Sequence, residues 1–308
     1  MPLTTLAQVR LVPGLGNVVK VTDAWLETLI AATDYAVKRW CKQEIELRAY
    51  TEYYSGNEMP DVVLRQYPVL SGTTQVAAGS NGAVLPQSTI SVVSTAGFDS
   101  SGRADLPTIS VQTGRNTWTT VTYTGVTATS FTGCAGGTGT LSSTAGLNAI
   151  NQPVVFFDPY GYWGQAPQTQ NGVPFAAATI QVAGVNFAVQ LNERGRLGKS
   201  GLLTRLGGVG GWPQNIGRNK LAAWRMPCWQ TGQGDIKVLY SAGYEEVPGD
   251  LAAACTSLVA NLVRNQPKGT DLSSEGLGSY SYSVLSASQD PDVGSVREVL
   301  TRYRDASW

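Results

Sequence analysis

The side chains that most often do chemistry are sparse in this chain. It has no histidine, which removes the commonest general base, the commonest metal ligand and every Ser-His or Cys-His relay. Cys41, Cys134, Cys228 and Cys255 form no C-x-x-C pair, so neither a zinc ribbon nor a thioredoxin-type redox site is expected. They read as reduced thiols packed as small hydrophobes. Gly198-Lys199-Ser200 has the end of a phosphate loop, but Glu193 stands where such a loop needs its first glycine. Gly14-Leu15-Gly16 has the first half of a dinucleotide fingerprint, with Val19 in the third glycine's place. Carboxylate pairs of the kind a glycosidase uses are available at Glu44/Glu46, Asp99/Asp105 and Glu245-Glu246. No spacing singles one out, and Glu44 and Glu46 read as the wet face of a strand. No catalytic residue, cofactor site or metal site is assigned, and the chain is not expected to be an enzyme.

A different chemistry lies between Arg194 and Arg225. This glycine-rich stretch carries Arg194, Arg196, Lys199, Arg205, Arg218, Lys220 and Arg225 and no acid. It reads either as a solvated surface loop or as a loop that orders on a partner or lines a channel carrying DNA, meeting phosphates without reading sequence. Arg194, Arg196, Lys199 and Arg205 are the candidates for such channel or interface contacts. Trp212, Trp224 and Trp229 are available nearby to stack at a subunit boundary or to fill a core.

The elements that would position these residues follow from pattern and composition. A chain of 308 residues can bury a sizeable core and make two folded units. Only 14% of residues are charged, against about a quarter in ordinary domains, which suits surfaces that meet other proteins. Net charge is zero, so nothing global points to nucleic acid or membrane, and no apolar run is long enough to span a bilayer. The start, Met1-Pro2-Leu3-Thr4-Thr5, lacks a secretory pattern, so a soluble cytoplasmic product is expected. A helix is predicted over 22–43, capped by Thr22 with Asp23 in its first turn, Val21 stapling onto Leu26, and an apolar stripe of Trp25, Leu29, Ala32, Ala36 and Trp40. A strand follows, with Ile45, Leu47, Ala49, Thr51 and Tyr53 on one face and Glu44, Glu46, Arg48 and Glu52 on the other. After the turn at Ser55-Gly56-Asn57, residues 61–66 return as a second strand.

Residues 72–150 carry charge only at Asp99, Arg103, Asp105 and Arg115 and read as an inserted β-domain, or else as a long elaborated hairpin of the same domain, with strands at 89–93, 108–112 and 118–123. Further strands are predicted at 154–157, at 180–182 paired with 187–191 around Ala183-Gly184, and at 235–240. Pro248 and Asp250 open a second helix with Leu251, Cys255, Leu258, Val259 and Leu262 on its apolar face. A Ser/Gly/Tyr-rich arm spans 268–289. Asp290 and Pro291 start a last helix. That helix is marginal alone, so Val293, Val296, Leu300 and Tyr303 must find a surface, in their own domain or in a neighbour. Trp308 would add an anchor. The expected fold class is α+β, a helical connector core with a β-hairpin and an inserted Thr/Ser/Gly-rich β-domain.

Three stretches resemble the head–tail connector (adaptor) family of tailed bacteriophages. They are Leu47-Arg48-Ala49-Tyr50-Thr51-Glu52-Tyr53-Tyr54-Ser55-Gly56 with Val63-Leu64-Arg65-Gln66-Tyr67-Pro68-Val69; Ile236-Lys237-Val238-Leu239-Tyr240-Ser241-Ala242-Gly243-Tyr244 with Val247-Pro248-Gly249-Asp250-Leu251; and Ser274-Glu275-Gly276-Leu277-Gly278-Ser279-Tyr280-Ser281-Tyr282. The match covers about 20–70 and 234–304. Residues 72–150 instead resemble a β-module of other phage structural proteins, through Val93-Ser94-Thr95-Ala96-Gly97-Phe98, Thr122-Tyr123-Thr124-Gly125 and Phe131-Thr132-Gly133-Cys134.

The resemblance implies a helical connector core with a β-hairpin and C-terminal arm (1–71 and 234–308), to which composition adds the inserted β-domain (72–150) and a β/loop extension with the basic loop (151–233). It implies a structural virion protein of the neck, assembled in the host cytoplasm without membrane contact. Its expected partners are the portal, stopper or tail-completion proteins, copies of itself in a twelvefold ring, and DNA held non-specifically in the channel. Val293, Val296, Leu300, Tyr303 and Trp308 would dock on the portal. The alternative is a tail or baseplate protein whose β-module binds glycan, with Trp118, Tyr123, Tyr160, Tyr162 and Trp163 as sugar platforms.

Overall fold

The structure, a computed structural model, describes residues 2–13, 22–100, 106–157, 180–190, 201–206, 228–229, 234–265, 274–277, 280–283 and 291–304. It divides into two compact units, Met1–Glu46 with Tyr244–Trp308, and Leu47–Gly243.

Among the described residues the first unit is mainly helical. Thr5 and Gln8 form a reciprocal capping box that starts α1 (Leu6–Arg10). Thr22 caps α2 (Asp23–Cys41), accepting the Trp25 N–H at 3.4 Å. The helix stops where Lys42 turns left-handed at φ 57°. Val21, the expected staple, lies outside the described residues. The buried stripe of α2 is Leu26, Ile30, Thr33, Val37 and Cys41, one residue on from the expected one. Ala32 and Ala36 are exposed, and Trp40 is 40% exposed. Both series repeat at helical spacing, about 100° apart around the axis. The branched aliphatics win because they fill more of the space between helices than alanines can.

The second long helix, α3 (Gly249–Asn265), buries Leu251, Ala254, Cys255, Val259 and Val263, while Leu262 stays 49% exposed. The last helix, α4 (Pro291–Tyr303), packs on α2 and α3. One cluster joins Leu3, Val37, Cys41, Ile45, Leu251, Cys255, Val296 and Leu300; another joins Val9, Leu26, Ile30, Val259, Ala260 and Val263. The N-terminal segment is pinned by Leu3, whose N–H donates to Asp34 at 3.0 Å, and by Thr4, whose hydroxyl lies 2.6 Å from that of Thr256. Lys38 lies 3.2 Å from Asp34, 3.7 Å from Glu46 and 3.9 Å from Glu44. Glu46 is buried, so it does not lie on a wet strand face: Lys38 draws it inward and neutralises it there.

Among the described residues the second unit is built of strands, with one short 3-10 turn at Ala78–Ser80. Its strands are β1 (Arg48–Tyr54), β2 (Asp61–Val63), β3 (Gly72–Gln75), β4 (Val84–Leu85), β5 (Thr89–Ser91), β6 (Thr108–Gly114), β7 (Thr117–Thr122), β8 (Gly125–Thr127), β9 (Ser130–Thr132), β10 (Gly139–Thr140), β11 (Ala149–Gln152), β12 (Val154–Phe157), β13 (Ile180–Gln181), β14 (Phe187–Gln190), β15 (Leu202–Arg205) and β16 (Ile236–Ala242). One sheet runs β1-β16-β12-β13, and a smaller one, β14-β15-β2, shares a core with it through Leu64, Phe187, Leu203, Trp229 and Val238. The segment 72–150 holds β3 to β10 and the start of β11. Its sheets β3-β11-β6-β7 and β5-β9-β8 are linked by the bridges Thr122↔Ala135 and Val76↔Val92. The strands therefore wrap a single core containing Ile90, Ile109, Val111, Tyr123, Phe131 and Ile150. Wrapping leaves few open edges.

Strand outweighs helix among the described residues, 35% against 26%, which overturns the expected α+β helical connector core with a β-hairpin. The hairpin does not form. β1 pairs with β16 from Arg48↔Ala242 to Tyr54↔Ile236, and β2 pairs with β15. Two features explain the choice. The Glu58 N–H bonds the Trp229 carbonyl at 2.8 Å and the Trp229 N–H bonds that of Met59 at 3.0 Å, which leads the chain away from β1. The buried Asp235 accepts the Gly56 N–H at 2.8 Å, which sets β16 beside the end of β1. The predicted pairing of 180–182 with 187–191 also gives way: β13 joins β12 and β14 joins β15, with only an isolated bridge between Ala183 and Phe187.

Candidate functional site

The connector-like stretches 47–56, 63–69 and 236–244 come together in the β unit. Tyr50, Glu52 and Tyr54 alternate along β1 and so share one face. Tyr240 stands opposite Tyr50 on β16, with ring centroids 5.6 Å apart. Sequence alternation gives the core face to Ala49, Thr51 and Tyr53; Tyr50 and Tyr54 instead pack against the core, because the covering segment 64–69 lies on their side. That segment is held by its backbone. The Arg65 N–H donates to the Tyr54 hydroxyl at 3.0 Å, and the Gln66 N–H to the Tyr240 hydroxyl at 3.2 Å. Both phenols then donate to the same Glu52 oxygen, Tyr240 at 2.6 Å. The Arg65 guanidinium lies over the Tyr54 ring, 5.3 Å from its centroid. Burial above all, with Glu52 adding to it, pushes both phenol pKa values up, so they remain protonated donors. The result is a relay of hydrogen bonds from backbone to phenol to carboxylate that fixes a loop. The period-two spacing of Tyr50, Glu52 and Tyr54 was its one signal in the sequence.

Of the basic candidates, Arg205 lies on β15. Its guanidinium sits 5.0 Å from the ring centroids of both Phe157 and Trp229 and donates to Gln181 Oε1 at 2.6 Å. Burial lowers its pKa. It is half-buried and packs against Trp229, which is itself fully buried. Arg194, Arg196 and Lys199, like Trp212 and Trp224, lie outside the described residues.

Of the portal-docking candidates, Val296 and Leu300 are buried in their own unit's core. Tyr303 donates to Asp250 at 2.6 Å and meets the Tyr244 ring edge to face. The side chain of Val293 and all of Trp308 lie outside the described residues. What α4 leaves outward is Ser295, Arg297, Glu298, Thr301 and Arg302, and just past its end Arg304 lies 4.8 Å from the centroid of the Trp40 ring.

The suggested sugar platforms fare as follows. Trp118 and Tyr123 are buried, and Tyr123 donates to the Asp99 carbonyl at 3.0 Å, so neither ring can receive a ligand. Tyr160, Tyr162 and Trp163 lie outside the described residues. Asp99 is buried, whereas Glu245 and Glu246 are exposed. Among the described residues no group of three or more Cys, Asp or Glu converges as a metal site would.

No protein-family model and no curated protein matches this chain. Among solved structures it is similar to a chain of "Neck of empty GTA particle computed with C6 symmetry", at 11% identity and a TM-score of 0.38, over 98% of this chain and 90% of that one. A likeness of that size decides neither fold nor role. No helix among the described residues is long and apolar enough to cross a membrane.

Proposed function

We propose that this chain is a structural subunit of a tailed-phage virion, a head–tail connector that forms a ring in the neck, docks on the portal and joins capsid to tail around the DNA channel. The observation that supports it best is convergence. Residues 47–56, 63–69 and 236–244, which carry the resemblance to connectors, build one hydrogen-bonded sheet end held by Glu52, Tyr54 and Tyr240. α3 and α4 pack on α2, while the hairpin expected between the first long helix and the Val-Pro-initiated one is replaced by pairing of β1 with β16 and of β2 with β15. The role is structural rather than catalytic, and the proposed partners are the portal, stopper or tail-completion proteins, copies of the chain (twelvefold on the resemblance) and DNA without sequence preference. Because Val296 and Leu300 are committed to their own core, portal contact falls to the outward face of α4, around Arg297 and Arg302.

The test is electron cryo-microscopy of the protein mixed with the portal of its own phage. A symmetric ring stacked beneath the portal is expected, and Arg297→Glu with Arg302→Glu should weaken docking while the fold persists. Absence of portal binding, with the protein located at the distal tail of intact virions, would overturn the reading.

A further inference from the structure

Residues 2–13 lie as a strap along the trough between α2 and α3. The Leu3 N–H donates to Asp34, in the second half of α2, at 3.0 Å. The Arg10 guanidinium donates to Asp23, at the start of α2, at 2.6 Å. The strap therefore runs antiparallel to α2. Its other side meets α3: the Thr4 hydroxyl lies 2.6 Å from that of Thr256, and the Pro13 carbonyl accepts from Arg264 at 3.2 Å. Apolar residues recur at every third position, Leu3, Leu6, Val9 and Val12. The last three pack with Leu26, Ile30, Val259 and Val263 of the trough.

This strap is lightly held. Within it only Leu3, Thr4 and Val9 are buried, and Leu11 is 83% exposed. Its helical part, α1, has five residues, too few to be stable alone. Its capping box joins Thr5 to Gln8 inside the strap itself. Release would return the conformational entropy of the whole segment and leave the packing of Val37 and Cys41 on Leu251 and Cys255 in place. The groups that receive the strap, Asp23, Asp34, Thr256 and Arg264 with the apolar floor, belong to α2 and α3. They make the same contacts with a strap joined to their own α2 or to another. Arg10 meets Asp23 across thirteen positions of sequence, whereas residues 11–22 could extend to about 40 Å. Covalent continuity thus does not confine the strap to its own trough.

We propose that the strap opens while the helices stay folded, and that the trough is a docking site for residues 2–13 of a second copy of this chain, so that neighbouring copies exchange straps. Exchange needs no new complementarity, because the occupant is the segment already seated there. It is independent of the ring proposed above.

Measurements on the full-length protein test both halves. The Val9 and Val12 N–H groups, bonded to the Thr5 and Val9 carbonyls at 3.0 and 3.2 Å, should exchange with deuterium at least about 100-fold faster than those of Ile30 and Thr33 in α2. Equal rates overturn the opening. Thr4→Cys and Thr256→Cys place thiols where the two hydroxyls meet. Combined in one chain they should link within the monomer on mild oxidation; failure to link overturns the docked position itself. Made on separate chains and mixed, they should give a dimer whose linked peptides join 4 to 256, identified by mass so that links through half-buried Cys228 are set apart. A mixture without that link, where the double variant does link, overturns exchange between copies. If a cysteine variant fails to fold, a synthetic peptide of residues 2–13 is added in excess to isotope-labelled wild type. It should displace the protein's own strap and speed exchange at Val9; an unchanged rate overturns exchange.

Discussion

Glu52 receives two phenol hydrogens on one oxygen, and each phenol holds a backbone N–H of the covering segment. Tyr240→Phe deletes one arm and leaves the Gln66 N–H and half of the Glu52 demand unanswered. It should cost about 1.5–3 kcal/mol, read as a lower urea midpoint for the β unit at unchanged slope. The thiols make a second residue-scale case. Burial pushes Cys41 and Cys134 up to about 11 and Cys255 up to about 12. Raised acids bind protons more tightly when folded, so their contribution is complete below the ordinary thiol value of 9.0 and is lost as pH rises toward 11 or 12. Stability should therefore decline above that ordinary value. At pH 8 a thiol reagent should modify half-buried Cys228 in the native protein and reach the other three only after unfolding. Equal native reactivity of all four would contradict this burial.

At the scale of elements, α2 offers a direct comparison of two apolar stripes. Ile30→Ala should cost about 2–4 kcal/mol, whereas Ala36→Gln should stay within about 0.5 kcal/mol, both read by thermal unfolding. The reverse order would restore the stripe that periodicity first suggests. The same helix shows what a sequence can and cannot say. Its existence, its Thr22 cap and the acidic residue of its first turn are local properties, and they were legible, as were α3, α4 and half of the strands. Its buried face was not, since two neighbouring stripes share one period and the neighbouring helices choose between them. Strand partners were illegible for a related reason. Alternation in 48–54 identifies a strand, but β16 lies almost two hundred residues away, and the bonds that exclude the local hairpin come from Trp229 and Asp235. The Glu52 relay and the stacking of Arg205 depend on that same pairing. A lone Arg in a basic stretch therefore reads as a surface group until the packed pair of Phe157 and Trp229 is found beneath it.

At the scale of the whole molecule, the β unit is a single insertion between two halves of the helical unit. It begins and ends on paired strands, with Arg48 opposite Ala242, so it should fold alone. Residues 47–243 expressed as a separate protein should give a β-type circular dichroism spectrum and one cooperative unfolding transition; an unfolded product would show that the helices complete its core. The adjoining entry and exit have a mechanical meaning too. Antiparallel strands whose tethered ends leave from the same side are loaded in peeling rather than in shear, so tension applied through residues 46 and 244 would reach the β1–β16 hydrogen bonds one pair at a time. In the connector role proposed above, the load of a packed genome would have to pass through the protein's surfaces and spare these two chain crossings.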